Sequence, residues 1–454
     1  MNNLFDTFNP VSEKEWKQKI QVDLKGADYN DTLMWQSLEG IHVKPFYHQD
    51  GLKSNSHNIP GQPENWAITQ CVFIDNATIA SKLVNNAIQG GAEAIYLVAE
   101  KKFDFEKLFK NFPFDKIVLY INLFFLHEEF SSNLKQYVHS RGAKVHFAFD
   151  IFGQLARTGN WFLSQKEDHA ILSKLLSNKP NEHTLTVDAT TYQNAGANCV
   201  QQLAYALSHA NEYLNQFGSK LHSQKMSFQI AVGSNYFFEI AKIRALRLLY
   251  ASIASAYELP TTCHIIATPS KRNKTIYDYN VNMLRTTTEC MSAVLGGADA
   301  VMNLPYDALY HKSNSFGERI SRNQLLILKA ESYFDMVSNP ADGSYYIETL
   351  TQQLAEKALA LFKNIESGGG FLRQLTEGTI QKKISESATK EQELFNTGAI
   401  TAIGTNKHPN EQDRMKHDLE LYPFLKKEAR KTLIRPIITK RLSETLEKNR
   451  LENE

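Results

Sequence analysis

Two carboxylates are the first residues in this sequence whose placement suggests chemistry. Asp150 and Asp188 each close an apolar run, FAFD and LTVD, where a strand would hand over to a loop. Used as an acid–base pair, one of them would need its carboxyl pushed well above the ordinary value of about 4. The competing role is to cap the helix or loop that follows, which short acidic side chains do often. His146 lies on the same strand face as Asp150, but four residues of strand span about 13 Å, too far for one metal ion. His264 sits inside an apolar run with no second ligand near it in sequence, and reads as a hydrogen-bonded core histidine. Cys71, Cys199, Cys263 and Cys290 are scattered, with no CxxC spacing. They read as buried thiols of a reducing compartment, not as a zinc or redox pair. GxSxG, Walker and HExxH motifs are absent from the sequence.

These residues need strands to hold them. From Trp66 onward, short apolar runs alternate with amphipathic stretches: WAITQCVFI, AEAIYLVAE, KIVLYINLF, KVHFAFDIF, TLTVDATT, SFQIAVG, CHIIAT and ADAVMNL. Continuous apolar strands separated by helices argue for a parallel sheet buried on both faces. Eight such units predict a (β/α)8 barrel, whose site lies at the carboxyl ends of the strands. A doubly wound open sheet is the competitor, but the first turn, IDNATIA, lacks the glycines it would use. The polar residues expected at the mouth are Thr69, Gln70 and Cys71, then Asp150, then Asp188, Thr190 and Thr191, followed by Ser234, Asn235, Thr268 and Ser270. The mouth reads as polar but chemically mild.

Around the barrel (61–367) the sequence predicts a polar N-terminal arm (1–60) and a helical C-terminal extension (368–454). The arm carries an amphipathic helix over 12–24, and too little apolar surface to fold alone. Helices are expected over 280–295, 320–332 and 345–366, and the Gly368–Gly370 run ends the last of these. The charged tail from Asn406 reads as helical. With 50 basic and 49 acidic residues the net charge is +1, which gives no reason to expect nucleic acid. No apolar run approaches the roughly 20 residues needed to span a bilayer, and the N-terminus lacks signal-peptide texture, so a cytoplasmic protein is expected.

One long stretch, RTTTECMSAVLGGADAVMNLPYD followed by ERISRNQLLILKAESYFDMVSNPADGSYYIETL, runs from Arg285 to Leu350. Together with TLMWQSLEGIHVKPFY, FDIFGQLARTGNW, NAGANCVQQLAYALSHANEYL and AVGSNYFFEIAKIRALRLLYA, it resembles the acyl-CoA mutase barrel of the methylmalonyl-CoA mutase family. The resemblance extends from Thr32 to about Lys407. It implies a barrel threaded by a CoA ester that shields a radical rearrangement, topped by a flavodoxin-like cobalamin domain. Gly196, Asn235, Glu239, Arg285, Arg322, Asn323 and Gly343-Ser344-Tyr345 fit the family's framework.

The family's functional residues do not carry over. Its Thr-Ile-Arg-Gln-Tyr run is matched here by Ala67-Ile68-Thr69-Gln70-Cys71, which lacks the Arg and the Tyr. Its Gly-Tyr-His-Met-Gln-Glu-Ala-Gly run is matched by Ala189 to Gly196, with Thr190 and Thr191 in place of Tyr and His. Its His-Ser-Gln-Thr-Ser-Gly-Trp run pairs loosely with IIATPSKRNK. The cobalamin lower-ligand motif Asp-x-His-x-x-Gly does not occur.

This pattern is similar to the small, non-catalytic subunits of heterodimeric mutases. That likeness implies a barrel lacking the cobalamin domain and a catalytic large-subunit partner that holds the adenosylcobalamin. This chain would then bind no cofactor or metal, and Thr69, Cys71, Thr190 and Thr191 would mark a vestigial substrate pocket. Two alternatives are a catalytic barrel whose cobalamin domain is a separate chain, and a repurposed barrel using Asp150 and Asp188.

Overall fold

The computed structural model of the chain describes residues 9–52, 58–176, 183–221, 224–426 and 429–454. Parts of the expected N-terminal arm, residues 1–8 and 53–57, lie outside these. In the rest of the arm, α1 (Glu13–Asp23) opens with a capping box between Ser12 and Glu15, and α2 (Tyr29–Leu33) is capped by Asp28. The strands β1 (Trp35–Gln36) and β2 (His42–Val43) form a small antiparallel hairpin. No residue of α1 is buried, and Trp16 is 52% exposed.

The eight expected strands are all present. They are β3 (Ala67–Phe73), β4 (Ala94–Ala99), β5 (Val118–Leu123), β6 (Val145–Phe149), β7 (His183–Asp188), β8 (Ser227–Val232), β9 (His264–Pro269) and β10 (Ala300–Met302). All pair in parallel with their neighbours in sequence, and β10 pairs with β3 to close the barrel. The helices between them are α3 (Ala77–Gln89), α4 (Phe105–Leu108), α5 (Glu128–His139), α6 (Ile151–Thr158), α7 (Gln165–Leu175), α8 (Thr190–Asn194), α9 (Cys199–Phe217), α10 (Tyr236–Ala256) and α11 (Val281–Leu295). After β10 comes α12 (Ser315–Leu326), which starts earlier than its apolar period suggests because Asn314 accepts a hydrogen bond from the Gly317 amide. It continues into a π-helical turn over Ile327–Glu331.

Strand alternation divides the interior into two cores. Outward residues such as Ile68, Val72, Ile95, Leu97, Leu119 and Ile121 join the helices in one large cluster. Inward residues Ala94, Tyr96, Tyr120, Ile266, Ala300 and Met302 form a second cluster inside the bore. Burial on both faces is why the strands read as unbroken apolar runs.

Helix α13 (Tyr345–Ser367) lies across α9 and α10, which explains why most of α10 is buried. Its start is fixed by the fully buried Arg244, which pairs with Asp342 and Glu348. The short α14 (Gly370–Thr376) and α15 (Thr379–Asn396) follow. Gly196, with φ +100°, lets α15 approach closely: a Cβ there would sit 2.5 Å from that of Ala388.

The tail departs from the helical expectation. Among the described residues between 397 and 443 there is no helix, and only α16 (Glu444–Glu452) is helical beyond that. Pro409, Pro423 and Pro436 cannot donate to a helical ladder. The tail's amides instead bind helix ends and loops that follow the strands. Leu433 and Ile434 N–H donate to the Gly159 carbonyl, Ile437 to Ala156, Lys440 to Asn194 and Leu442 to Arg272. Gly159, at φ +79°, makes room, because a Cβ there would lie 2.5 Å from the Ile434 carbonyl oxygen.

Candidate functional site at the barrel mouth

At the carboxyl ends of β5 to β8 lies a small concavity, lined among others by Asn122, Phe124, Asp150, Arg157, Asp188 and Gln229. Asp150 is the N-cap of α6, accepting from the Gly153 amide at 2.8 Å. The same oxygen accepts from His209 Nε2 and from Tyr213 Oη, each at 2.8 Å, and the other accepts from the Asp188 amide at 2.8 Å. Burial raises the cost of its charge, but His209 and the two amides outweigh that and hold its carboxyl below the ordinary range.

Asp188 accepts from the Thr190 amide and hydroxyl. Burial pushes its carboxyl upward, opposed by Thr190 and by Arg157, whose guanidinium lies 3.9 Å away over the Phe124 ring. Both carboxylates therefore cap, and both also face the concavity. Beneath them, Tyr192 Oη meets His209 Nδ1 at 2.9 Å, continuing the Asp150 network into the core.

The four residues matched to the family's substrate contacts occupy β3 and α8. Thr69 is buried, and Cys71 sits in the bore, where burial and the Glu318 carboxylate push its thiol up to about 12. Thr190 and Thr191 open α8. None of the four is among the residues lining the concavity. Gln70 points outward to Glu318 and Arg322, and Ser270 binds Asn194.

The bore below is crossed twice. Strands β4 and β8 stand opposite each other in the closed order, and Tyr96 Oη donates to Gln229 Oε1 at 2.6 Å across the axis. Asn122 donates to the same hydroxyl at 3.0 Å. Strands β5 and β9 are likewise opposite, and Tyr120 Oη meets His264 Nε2 at 2.9 Å. Replacing Tyr96 by phenylalanine strands the buried Gln229 amide and the half-buried Asn122 amide, so a loss of about 1–3 kcal/mol is expected in urea unfolding.

At the floor, His146, His183 and His264 stack, with His146 ring centroids 4.0 Å from His183 and 4.2 Å from His264. His264 is thus the bonded core histidine expected, but the stack and the crossbars were missed. Their one sequence signal is a histidine at the first or second residue of three different strands.

Among the described residues, no group of three His, Cys, Asp or Glu is placed to hold a metal ion, and no helix is long and apolar enough to cross a membrane. No histidine that could ligate the cobalt of a corrin, the group that the resemblance implies for the family, lines this concavity.

Fold and mouth together define a (β/α)8 barrel with a crossed bore and a strapped face. The methylmalonyl-CoA mutase family model matches residues 97–450, so the chain belongs to that family. It is 33% identical over 443 residues to a methylmalonyl-CoA mutase small subunit of Porphyromonas gingivalis, covering 90% of this chain and 71% of that one. A small subunit of Streptomyces virginiae is 37% identical over 246 residues, covering 52% of this chain and 39% of that one. A methylmalonyl-CoA mutase of Cereibacter sphaeroides is 28% identical over 458 residues, covering 87% and 64%. The chain thus spans less than two thirds of the length of several relatives.

Proposed function

We propose that this chain is the small, non-catalytic subunit of an adenosylcobalamin-dependent methylmalonyl-CoA mutase, an isomerase that interconverts methylmalonyl-CoA and succinyl-CoA. On this reading a large partner subunit holds the cobalamin and performs the chemistry, and this chain stabilises it in a heterodimer. The observation that carries the reading is the crossed bore. A CoA ester threaded down the axis would have to displace the Tyr96–Gln229 and Tyr120–His264 pairs, both held by hydrogen bonds. Cys71 and Thr191, at positions matched to the family's Tyr and His, supply neither a packed aromatic nor a strong donor for a migrating thioester.

The arm supports a partner. An 11-residue helix with no buried residue is marginal by itself, and α1 with the residue before its cap leaves Val11, Trp16 and Val22 more than half exposed. Covering that surface is what a subunit contact would do.

A repurposed barrel using Asp150 and Asp188 is the second reading, since burial raises one carboxyl while the other is held down. It is disfavoured because four donors occupy the Asp150 carboxylate.

Purification of the tagged chain from its host tests the proposal. A stoichiometric, cobalamin-binding large partner is expected, with turnover of methylmalonyl-CoA by the complex and none by the isolated chain supplied with adenosylcobalamin. Turnover by the lone chain, or a lone monomer or homodimer with no such partner, would overturn it.

A further inference from the structure

Between α13 and α14 the chain turns through Gly368, Gly369 and Gly370, and both helices pack on α9. On α9, Ser208, Asn211, Glu212 and Asn215 recur at helical spacing and form one stripe. Glu366, in the last turn of α13, meets that stripe. Asn211 Nδ2 donates to Glu366 Oε2 at 2.9 Å, and the Leu372 amide of α14 donates to Glu212 Oε2 at 3.4 Å. Tyr257, at the end of α10, closes the cluster by donating its hydroxyl to Asn211 Oδ1 at 2.9 Å and to Asn215 Oδ1.

The two carboxylates converge on Gly370. A Cβ built there would lie 3.4 Å from Glu212 Oε2 and 3.7 Å from Glu366 Oε2, so the glycine leaves room beside both oxygens. Ser208 is fully buried and its hydroxyl lies beside the Glu366 carboxyl, yet Ser208 Oγ and Glu366 Oε1 both lack a hydrogen-bond partner. The cation at the turn is used elsewhere: the Arg373 stem passes over Gly369, and its guanidinium binds Glu377 at 2.8 Å. Among the described residues, the printed partners of Glu212 and Glu366 are amides, with Gln216 holding Glu212 Oε1 at 3.1 Å. Burial, with the Glu212 charge added to it, pushes the Glu366 carboxyl upward against the Asn211 amide. Two negative groups thus share a half-buried spot with no positive charge between them.

We propose that this cluster is a calcium site, with the ion held between Glu212 and Glu366 and the Ser208 hydroxyl and water completing its shell. Every donor is an oxygen, which selects a hard cation and not zinc or copper. The donors come from three helices in no regular octahedron, which suits calcium better than magnesium. Bound there, the ion ties the glycine turn, and with it α14, to α9.

Calorimetric titration of the full chain with calcium chloride tests this. One equivalent should bind at about 0.1–1 mM, the range of sites with few carboxylates, and the thermal midpoint should rise with calcium concentration. Glu366→Gln and Glu212→Gln should each weaken binding about tenfold or more, because each removes one of the two charges that hold the ion. Glu377→Gln, which alters the neighbouring carboxylate bound to Arg373, should leave binding unchanged. Without calcium, Glu366→Gln should unfold no more readily than the wild type, since its amide oxygen keeps the Asn211 bond and the buried charge is gone. A carboxylate that serves packing alone would instead show a loss of stability, equal with and without the ion. If a glutamine variant does not fold, terbium luminescence of the wild-type chain, sensitised by Tyr257 and displaced by calcium, reads the same site, and Tyr257→Phe should dim it. Absence of calcium binding up to about 10 mM, binding retained in both glutamine variants, magnesium bound as tightly as calcium, or terbium emission unchanged in Tyr257→Phe would overturn the site.

Discussion

Asp150→Ala is expected to lose about 3–5 kcal/mol of stability, among the largest effects of any single substitution at the mouth. The deletion strands four donors at once: the Gly153 and Asp188 amides, His209 Nε2 and Tyr213 Oη. His209 is fully buried, so water cannot replace the lost acceptor. Asp150→Asn separates the roles. Its carbonyl can still accept the three bonds made to one oxygen, while its amide opposes the Asp188 N–H, so a milder loss of about 1–3 kcal/mol follows. Urea midpoints with an unchanged slope would check both values. The pH dependence has a definite sign. Because the folded carboxyl is held below the ordinary value, its contribution is complete above about pH 4–5 and fades as the pH falls through that range and below. A catalytic Asp150 would show the reverse pattern, with activity abolished and stability hardly moved.

Lys274→Met is expected to cost a comparable 3–5 kcal/mol or so, through a buried charge and not through a cap. Lys274 and Glu289 are each 1% exposed, with Nζ 2.7 and 2.8 Å from the two carboxylate oxygens. Removing the lysine leaves a carboxylate in the core with Asn273 as its remaining partner at 2.6 Å. Replacing Glu289 by leucine as well should recover most of the loss, since an apolar pair of similar volume avoids the burial of charge altogether. Thermal or urea unfolding of the single and double variants completes the cycle, and additive losses would show that the two side chains are not coupled.

The barrel was legible because its strands are buried on both faces, so WAITQCVFI or SFQIAVG reads as an unbroken apolar run whatever surrounds it. The capping by Asp150 and Asp188 was also legible, being local to each strand end. What crosses the axis was not. Tyr96 meets Gln229 only once eight strands close with a particular register, and nothing in either run names the other. The histidine stack depends on the same closure. The tail misled for a different reason: its alternating charges imitate a solvated helix, while Pro409, Pro423 and Pro436 and the waiting carbonyls of Gly159, Ala156, Asn194 and Arg272 favour an extended strap. Composition signals helix propensity, and docking partners far away in the chain override it.

The strap also sets a timetable. Residues 433–447 leave the ribosome long after β10 ends at Met302, yet they bind the segments that follow β6, β7 and β9. Glu447 accepts from the Ile276 amide, and Arg441 and Ser443 both donate to the Lys274 carbonyl. During synthesis the nascent barrel must therefore wait with these groups satisfied by water, its upper rim loose. Such long-range contacts are slow to form and are made last. Completion of the fold must await the emergence of residues 433–447, and until then an unfinished rim is open to capture by another chain.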